Sequence, residues 1–310
     1  MKILVTCPPM LKRISEFTPI FEDKGIELIL PNVVQTLTED ELLQIIPDVD
    51  GWIIGDDPAT ERVFTAGKNG NLKAAVKWGV GVDNVDFKAC EKLGIPITNT
   101  PNMFGAEVAT LAVNYVLGLA RQSYYIDREV RKGNWIKPAG RSLKDKNVAL
   151  IGFGDIGKST AKFLHAFDMN ITVYDPFAKA DESELIKYTF DIFPNNIEKA
   201  DYVITTCALN PSTFKIINQD SIQKMKKGVC IINVSRGGII DEQSLLDGLN
   251  SGHIESAALD VFENEPLTNE SPFVHMDNCI LGSHNGSNTI EAVQRASNQA
   301  IEYLFNFLNI

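Results

Sequence analysis

One stretch of this chain, residues 148–175, constrains the fold more than any other. It opens with the apolar run Val148-Ala-Leu-Ile151, which is typical of a short buried strand. Glycines at positions 152, 154 and 157 then form the pattern G-x-G-x-x-G, and residues 158–167 continue with helical spacing. A second apolar run ends in Asp175, which follows the last glycine by 18 residues. Strand, glycine turn, helix and strand-end acid in this order predict a unit that binds a dinucleotide.

The glycine loop is predicted to hold the pyrophosphate of that dinucleotide. Its first glycine permits a tight turn, its second lets the backbone approach the phosphates, and its third lets the helix pack closely on the strand. Backbone amides at the start of the helix favour the anion. The predicted cofactor-binding loop consists of Gly152, Phe153, Gly154, Asp155, Ile156 and Gly157.

Asp175 indicates which dinucleotide is bound. A carboxylate at this place accepts hydrogen bonds from the ribose hydroxyls and repels a 2′-phosphate. Pro176, Phe177 and Ala178 follow it, so no arginine stands ready for such a phosphate. The sequence therefore predicts NAD and not NADP. The alternative is an ordinary glycine turn with a solvated acid, which the surrounding strand and helix disfavour.

Composition limits the remaining classes of function. A length of 310 residues suits two domains, and the net charge of −11 argues against nucleic acid as a partner. No apolar run approaches the roughly 20 residues of a membrane helix. The five cysteines form no C-x-x-C pair, so we expect free thiols in a cytoplasmic protein and no metal site.

Short apolar runs alternate with helical patterns along both halves of the chain, which predicts an α/β protein with two doubly wound parallel sheets. We place a first domain at residues 1–98 plus 286–310, because the helix over 290–308 should return to it. The second domain spans 99–285. The long apolar helix over 105–121 is expected to pack between the domains or at a subunit interface, which suggests a homodimer.

The first half also contains a glycine-rich loop, Lys77-Trp-Gly-Val-Gly-Val-Asp-Asn-Val-Asp86, directly after a predicted strand. Successive amides in such a turn can form an anion-binding nest, and open α/β sheets bind ligands at this end of their strands. A plain strand-to-helix turn is the alternative.

Three residues with reactive side chains follow predicted strands of the second sheet. Arg236 can bind a carboxylate through two parallel N–H bonds. Glu265 and His284 follow the next two strands, and a histidine with a carboxylate partner can donate and accept protons. Taken singly, the three could be a surface ion pair, a solvated acid and a structural histidine. Because parallel strands bring these loops to the edge that carries the glycine loop, we predict one catalytic site.

These segments together resemble the D-isomer-specific 2-hydroxyacid dehydrogenases, and in particular the members similar to phosphoglycerate dehydrogenase. The resemblance covers essentially the whole chain. It implies a flavodoxin-like substrate domain and a Rossmann NAD-binding domain. The segments that carry it are residues 79–86, the glycine loop, Asn233-Val-Ser-Arg-Gly-Gly238, Ala258-Leu-Asp-Val-Phe-Glu-Asn-Glu-Pro266 and the loop around His284.

The resemblance also implies a catalytic role for each residue. Arg236 would bind the substrate carboxylate and keto oxygen, while Val80 and Gly81 would offer amides to the same carboxylate. His284 would be the acid/base, hydrogen-bonded to Glu265. NADH would deliver hydride to C2 of a 2-keto acid while His284 protonates the oxygen.

Further residues are implied to contact the cofactor. Asp260 would hold the nicotinamide carboxamide. The residues implied to line the remaining cofactor site are Cys207, Val234, Ser235, Arg236 and His284.

Some residues depart from the family pattern and leave the substrate open. Ser283 stands where many members have proline before the histidine, and Trp78 is bulky beside the substrate nest. Lys77 could contact a substrate phosphate or be solvated. Candidate substrates include 3-phosphoglycerate, glyoxylate and hydroxypyruvate, and a dinucleotide-sensing, corepressor-like protein is an alternative to an enzyme. Serine feedback is not expected, because the printed chain lacks the regulatory extension of longer phosphoglycerate dehydrogenases.

Overall fold

The computed structural model of the protein describes residues 1–178 and 181–310. The strands of this part of the chain are β1 (Lys2–Val5), β2 (Glu27–Ile29), β3 (Gly51–Ile54), β4 (Ala74–Lys77), β5 (Ile97–Asn99), β6 (Asn147–Ile151), β7 (Asn170–Tyr174), β8 (Thr189–Asp191), β9 (Tyr202–Thr205), β10 (Val229–Asn233), β11 (Ile254–Leu259) and β12 (Cys279–Leu281). The helices are α1 (Pro8–Leu11), α2 (Thr18–Glu22), α3 (Glu39–Ile45), α4 (Glu61–Asn69), α5 (Phe87–Leu93), α6 (Gly105–Arg121), α7 (Ser123–Arg131), α8 (Asp155–His165), α9 (Glu182–Lys187), α10 (Gln219–Lys224), α11 (Glu242–Asn250) and α12 (Ile290–Leu308).

The chain divides into two compact units. The first comprises Met1–Met103 together with Asn288–Ile310, and the second comprises Phe104–Ser287. The boundaries drawn from the sequence lie a few residues earlier at both places. Five parallel strands form the sheet of the first unit in the order β2-β1-β3-β4-β5, which is the flavodoxin-like order.

The sheet of the second unit has the Rossmann order. Its strands are parallel and run β12-β11-β10-β9-β6-β7-β8, so the order reverses between β6 and β9. Ligands bind at such a reversal, outside the carboxyl ends of the strands. The α/β class with two doubly wound parallel sheets is therefore confirmed. Strand β8 was not predicted, because its three residues, Thr-Phe-Asp, carry no apolar run.

The first unit is completed by α12, which packs on β3 and β4. A Cβ on Gly51 of β3 would lie 3.2 Å from a methyl carbon of Leu304, so the helix approaches this strand closely. The ring of Phe305 meets that of Phe21 edge to face at 5.5 Å. Helix α3 of this unit begins with a capping box, in which the side chains of Thr38 and Glu41 each accept a backbone amide hydrogen of the other residue.

Helix α6 is buried by elements of its own unit. It packs against α8 and against strands β10, β11 and β12, with Val108, Ala112 and Val116 among its buried residues. The expectation that it lies between domains or at a subunit interface came from its apolar sequence alone. The contacts with α8, β10, β11 and β12 explain why the helix is apolar, because they bury its apolar residues within the second unit. No helix in the described ranges is long and apolar enough to cross a membrane.

Candidate active site

The glycine loop after β6 has the geometry that its sequence predicts. Gly152 has a positive φ of 100°, and a Cβ there would lie 2.6 Å from the amide nitrogen of Cys207. A Cβ on Gly157 would overlap the carbonyl oxygen of Gly152, so α8 packs directly on the turn. A Cβ on Gly154 would meet no atom within 4 Å, which means that this glycine faces open space. Only the second glycine is therefore exposed to a ligand.

The start of α8 suits a bound pyrophosphate. Gly154 is the N-cap residue, and no side chain caps the helix. Within residues 1–178 and 181–310, the amides of Asp155, Ile156 and Gly157 donate to no protein acceptor. Unpaired amides at a helix N-terminus are an anion site, and the open space at Gly154 leaves room for the phosphates. The chain thus fits a dinucleotide at this place.

Asp175 lies at the same loop. One of its carboxylate oxygens accepts the amide hydrogen of Phe153, and the other accepts that of Phe177, both at 2.8 Å. These bonds fix the carboxylate beside the turn while each oxygen keeps lone-pair capacity for a ribose hydroxyl.

Cys207 also lies against Gly152, and burial raises the pKa of its thiol to about 11. It is therefore a neutral lining group.

Glu265 and His284 form the hydrogen-bonded pair that their positions after β11 and β12 predict. Nδ1 of the imidazole lies 2.8 Å from Oε2 of the carboxylate, and the two side chains are only 20% and 19% exposed. The other carboxylate oxygen accepts the amide hydrogen of Phe262 at 2.9 Å. A half-buried carboxylate held from the backbone can orient the imidazole and fix its tautomer.

Asp260 anchors the loop that carries His284. The amide of His284 donates to the carbonyl oxygen of Asp260 at 2.6 Å, and the amide of Gly286 donates to its carboxylate at 2.8 Å. Tyr115 of α6 donates its hydroxyl to the same carboxylate at 3.2 Å. His284 has a positive φ of 53°, which is uncommon for a residue other than glycine, and the hydrogen bonds to Asp260 hold the loop in this conformation. The loop is thus fixed from both sides.

Two glycines that the sequence reasoning missed let these loops meet. A Cβ on Gly237 would overlap the backbone of Phe262, and a Cβ on Gly282 would overlap the Asp260 carboxylate and the Tyr115 hydroxyl. Gly237 directly follows Arg236 and Gly282 lies two residues before His284, and this proximity is the signal that could have identified them.

Arg236 stands on a rigid turn after β10. The side chain of Asn233 donates to the Arg236 carbonyl at 2.9 Å and accepts from the Ser235 amide at 3.0 Å. Thr205 at the end of β9 donates to the same Asn233 oxygen at 2.8 Å. Val234 is buried within this turn. The Arg236 guanidinium is half-buried, and its Nη1 donates to the Ser235 carbonyl at 3.0 Å.

The first unit carries the loop for which an anion-binding nest was predicted. Gly79, with a φ of 124°, donates its amide to Thr100, and Asn99 holds the carbonyl oxygen of Gly79 at 3.3 Å. The amides of Val80 and Gly81 donate to no acceptor in the described part of the chain. The turn therefore has two successive amides without a protein acceptor, and Thr100 and Asn99 hold the glycine that precedes them.

Two residues beside this nest differ from the sequence interpretation. The indole of Trp78 is buried, and its N–H donates to Ser297 of α12 at 3.1 Å, so its bulk fills the core of the unit. Lys77 is not solvated, because its side chain is only 2% exposed and its ammonium pairs with Asp56 at 2.9 Å. Both partners are distant in sequence, which is why the pattern did not reveal them.

Comparison with known proteins places the chain among dehydrogenases. The family "D-isomer specific 2-hydroxyacid dehydrogenase, NAD binding domain" matches residues 113–286. A hydroxypyruvate reductase of Thermotoga maritima is 38% identical over 279 residues, which covers 88% of this chain and 90% of that protein. A glyoxylate reductase of Thermofilum pendens is 36% identical, with 87% and 82% covered. A D-3-phosphoglycerate dehydrogenase of Methanocaldococcus jannaschii is 34% identical over 98% of this chain, but only 56% of that longer protein is covered.

Solved structures agree with these relatives. An NAD-dependent formate dehydrogenase from Staphylococcus aureus, in complex with NAD, superposes with a TM-score of 0.88 at 26% identity. The match covers 100% of this chain and 96% of that one. The cofactor is accordingly NAD, as the glycine loop and Asp175 predict. With a family match over more than half of its length and a relative at 38% identity, the chain belongs to the NAD-dependent, D-isomer specific 2-hydroxyacid dehydrogenases.

Proposed function

We propose that this enzyme reduces a small 2-keto acid to the D-2-hydroxy acid, and catalyses the reverse reaction, with His284 as its acid/base. The hydrogen bond between His284 and Glu265 supports this proposal most strongly, because it lies on the strand edge that also carries the glycine loop. NADH, when bound, supplies the hydride that C2 of the substrate accepts.

His284 and Glu265 act as one unit in this proposal. With Nδ1 held by the carboxylate, Nε2 is the ring nitrogen that gives its proton to the keto oxygen during reduction. The carboxylate keeps the imidazole in the required orientation and stabilises the imidazolium. In the oxidative direction the same nitrogen takes the proton from the hydroxyl group.

Arg236 supplies the positive charge of the site. Its guanidinium can bind the substrate carboxylate through two parallel bonds and can stabilise the oxygen on which negative charge grows. The hydrogen bonds of Asn233 fix the backbone from which this side chain extends. We assign the amides of Val80 and Gly81 to the substrate carboxylate as well, and hence the first unit to substrate binding.

Asp260 is assigned to the nicotinamide carboxamide. Each of its carboxylate oxygens has one protein donor and keeps capacity for another. Cys207, Val234 and Ser235 are assigned to the lining of the cofactor site, since they lie after neighbouring strands on the same edge of the sheet.

Hydroxypyruvate and glyoxylate are the first substrates to test. The relatives that bear these names match this chain over most of their own length, whereas the phosphoglycerate dehydrogenase is matched over about half of its length. Phosphohydroxypyruvate belongs in the same panel, because the phosphoglycerate dehydrogenase is similar over nearly all of this chain.

A cytoplasmic homodimer is part of the proposal. Val130, near the end of α7, and Trp135, in the segment after it, are 43% and 81% exposed, and we assign these apolar side chains to the subunit contact. Five free thiols fit a reducing compartment. Light scattering on the purified protein would test the dimer, and a monomeric mass would contradict it.

The decisive experiment follows NADH oxidation with a panel of 2-keto acids, using wild type and His284→Gln. Wild type should consume NADH with at least one small keto acid, and the variant should bind NADH normally while turning over far more slowly. NADH binding without turnover of any keto acid would favour a dinucleotide-sensing protein instead.

A further inference from the structure

The ammonium group of Lys77 lies close to the loop to which we assign the substrate carboxylate. Lys77 ends β4, and its nitrogen is 3.7 Å from the place that a Cβ on Gly79 would occupy. Val80 and Gly81 follow directly. A positive charge is therefore positioned beside Gly79, the residue that precedes the two amides without a protein acceptor.

This charge is already neutralised by the protein. The ammonium donates to Oδ1 of Asp56 at 2.9 Å and to the carbonyl oxygen of Gly55 at 2.6 Å. A buried ammonium is tolerated only when it is paired and hydrogen-bonded, and here both conditions are met. Since Asp56 is 34% exposed, its negative charge lies closer to solvent than the lysine does.

The neighbouring loops add further negative charge. Residues 55–57 and 79–86 contain four aspartates and no arginine or lysine. Asp57 is fully buried and accepts the amides of Leu37 and Gly55, and burial raises the pKa of its carboxyl group. Asp86 caps α5, and Asp83 is exposed on the loop itself. These two loops of the first unit therefore contribute amide dipoles and carboxylates but no cation of their own, so the positive charge of the proposed site comes from Arg236.

We infer that the Lys77–Asp56 pair makes this loop selective for 2-keto acids with one carboxylate over those that also carry a phosphate. The inference rests on the proposed function. Two neutral amides can hold a single carboxylate. A phosphate group adds about −1.5 to −2 charges and binds best beside a free cation. The Lys77 ammonium is not free for this role, because it is paired with Asp56. Hydroxypyruvate is therefore preferred to phosphohydroxypyruvate.

The test compares kcat/KM for these two keto acids in wild type and in Asp56→Asn. The substitution keeps the shape of the side chain and frees the lysine charge, so the phosphorylated substrate should gain roughly tenfold relative to hydroxypyruvate, about 1.4 kcal/mol. The gain should shrink as salt is added. Asp50→Asn is the matched control, because Asp50 pairs with Lys73 at 2.7 Å where β3 and β4 begin, at the opposite edge of the same sheet.

A second variant keeps the test informative. Adding Lys77→Gln to Asp56→Asn should remove most of the gain, since the released charge is then absent. The inference would be overturned if the wild-type enzyme preferred phosphohydroxypyruvate. It would also be overturned if Asp56→Asn left the ratio of kcat/KM for the two keto acids unchanged. Neither result would contradict the proposed dehydrogenase activity. Failure to turn over either keto acid, with NADH still bound, would overturn the proposed function and this inference with it.

Discussion

Tyr115 and Asp260 are joined by a hydrogen bond of 3.2 Å between the α6 hydroxyl and the carboxylate that anchors the His284 loop. The two residues are 145 positions apart and both are buried. Burial raises the pKa of the tyrosine, and the neighbouring carboxylate adds to the effect, so the phenol stays a hydrogen-bond donor. Helix α6 thereby helps to hold the candidate acid/base in position.

Removing that hydroxyl should lower stability and NADH affinity while the fold is kept. In Tyr115→Phe a buried carboxylate loses one donor, which costs about 1–3 kcal/mol. We expect lower stability in urea and a weaker affinity for NADH, measured by fluorescence titration. Tyr303→Phe, on α12 of the first unit, is the control and should change neither quantity. Equal NADH affinity in both variants would argue against the assignment of Asp260 to the cofactor.

Loss of the imidazole should reduce turnover strongly. His284→Ala removes a positioned acid/base, and the expected decrease in kcat is roughly 10²–10⁴-fold. Glu265→Gln should have a smaller effect, because the imidazole remains but loses its charged partner. Stopped-flow single-turnover measurements would separate this loss from changes in binding. Unchanged kcat in His284→Ala would exclude the residue from the mechanism.

Arg236→Lys tests the bidentate contact with the substrate carboxylate. Lysine keeps the charge but lacks the planar fork, so KM for the keto acid should rise and kcat should fall. Arg62→Lys is a suitable control, since Arg62 is a largely exposed arginine paired with Glu39. If the two variants have the same kinetics, Arg236 acts only as a surface charge.

Asp175→Ala tests how the cofactor is chosen. Without the carboxylate, the ribose hydroxyls lose an acceptor and the 2′-phosphate of NADPH is no longer repelled. We expect the ratio of kcat/KM for NADH over NADPH to fall. Titration with both cofactors provides the measurement, and an unchanged ratio would assign the preference to other residues.

Two glycine substitutions should affect different properties of the protein, NADH affinity in one case and stability in the other. Gly154→Ala places a methyl group in open space, so the free energy of unfolding should change little while NADH affinity falls. Gly237→Ala forces a methyl group into the backbone of Phe262 and should destabilise the protein by roughly 1–3 kcal/mol. Urea unfolding and NADH titration of both variants distinguish the two effects. Normal NADH affinity in Gly154→Ala would contradict the predicted phosphate approach.

The sequence was informative where function depends on local pattern. The glycine spacing, the acid at Asp175 and the positions of Glu265 and His284 after strands all follow from short segments and from the parallel sheet. The parallel sheet predicted that the loops of Glu265 and His284 lie at one edge, and the family resemblance implied the hydrogen bond between them, which measures 2.8 Å.

Contacts between distant segments could not be predicted in this way. The sequence predicted only a long apolar helix over 105–121, and nothing near Tyr115 indicates Asp260 as its partner. Trp78 was expected beside the substrate but packs on Ser297, 219 residues away. Lys77 was left open between solvent and a phosphate, while its actual partner, Asp56, follows a different strand. Such pairs depend on the tertiary arrangement, which one sequence does not contain.

The cover that α12 provides for β3 and β4 has a consequence for biosynthesis. A ribosome produces the five strands of the first sheet early, yet residues 288–310 leave it only after the entire second unit has been made. Until then the place beside Gly51 that Leu304 fills is uncovered. The nascent first unit should therefore be a substrate for chaperones until the last helix arrives.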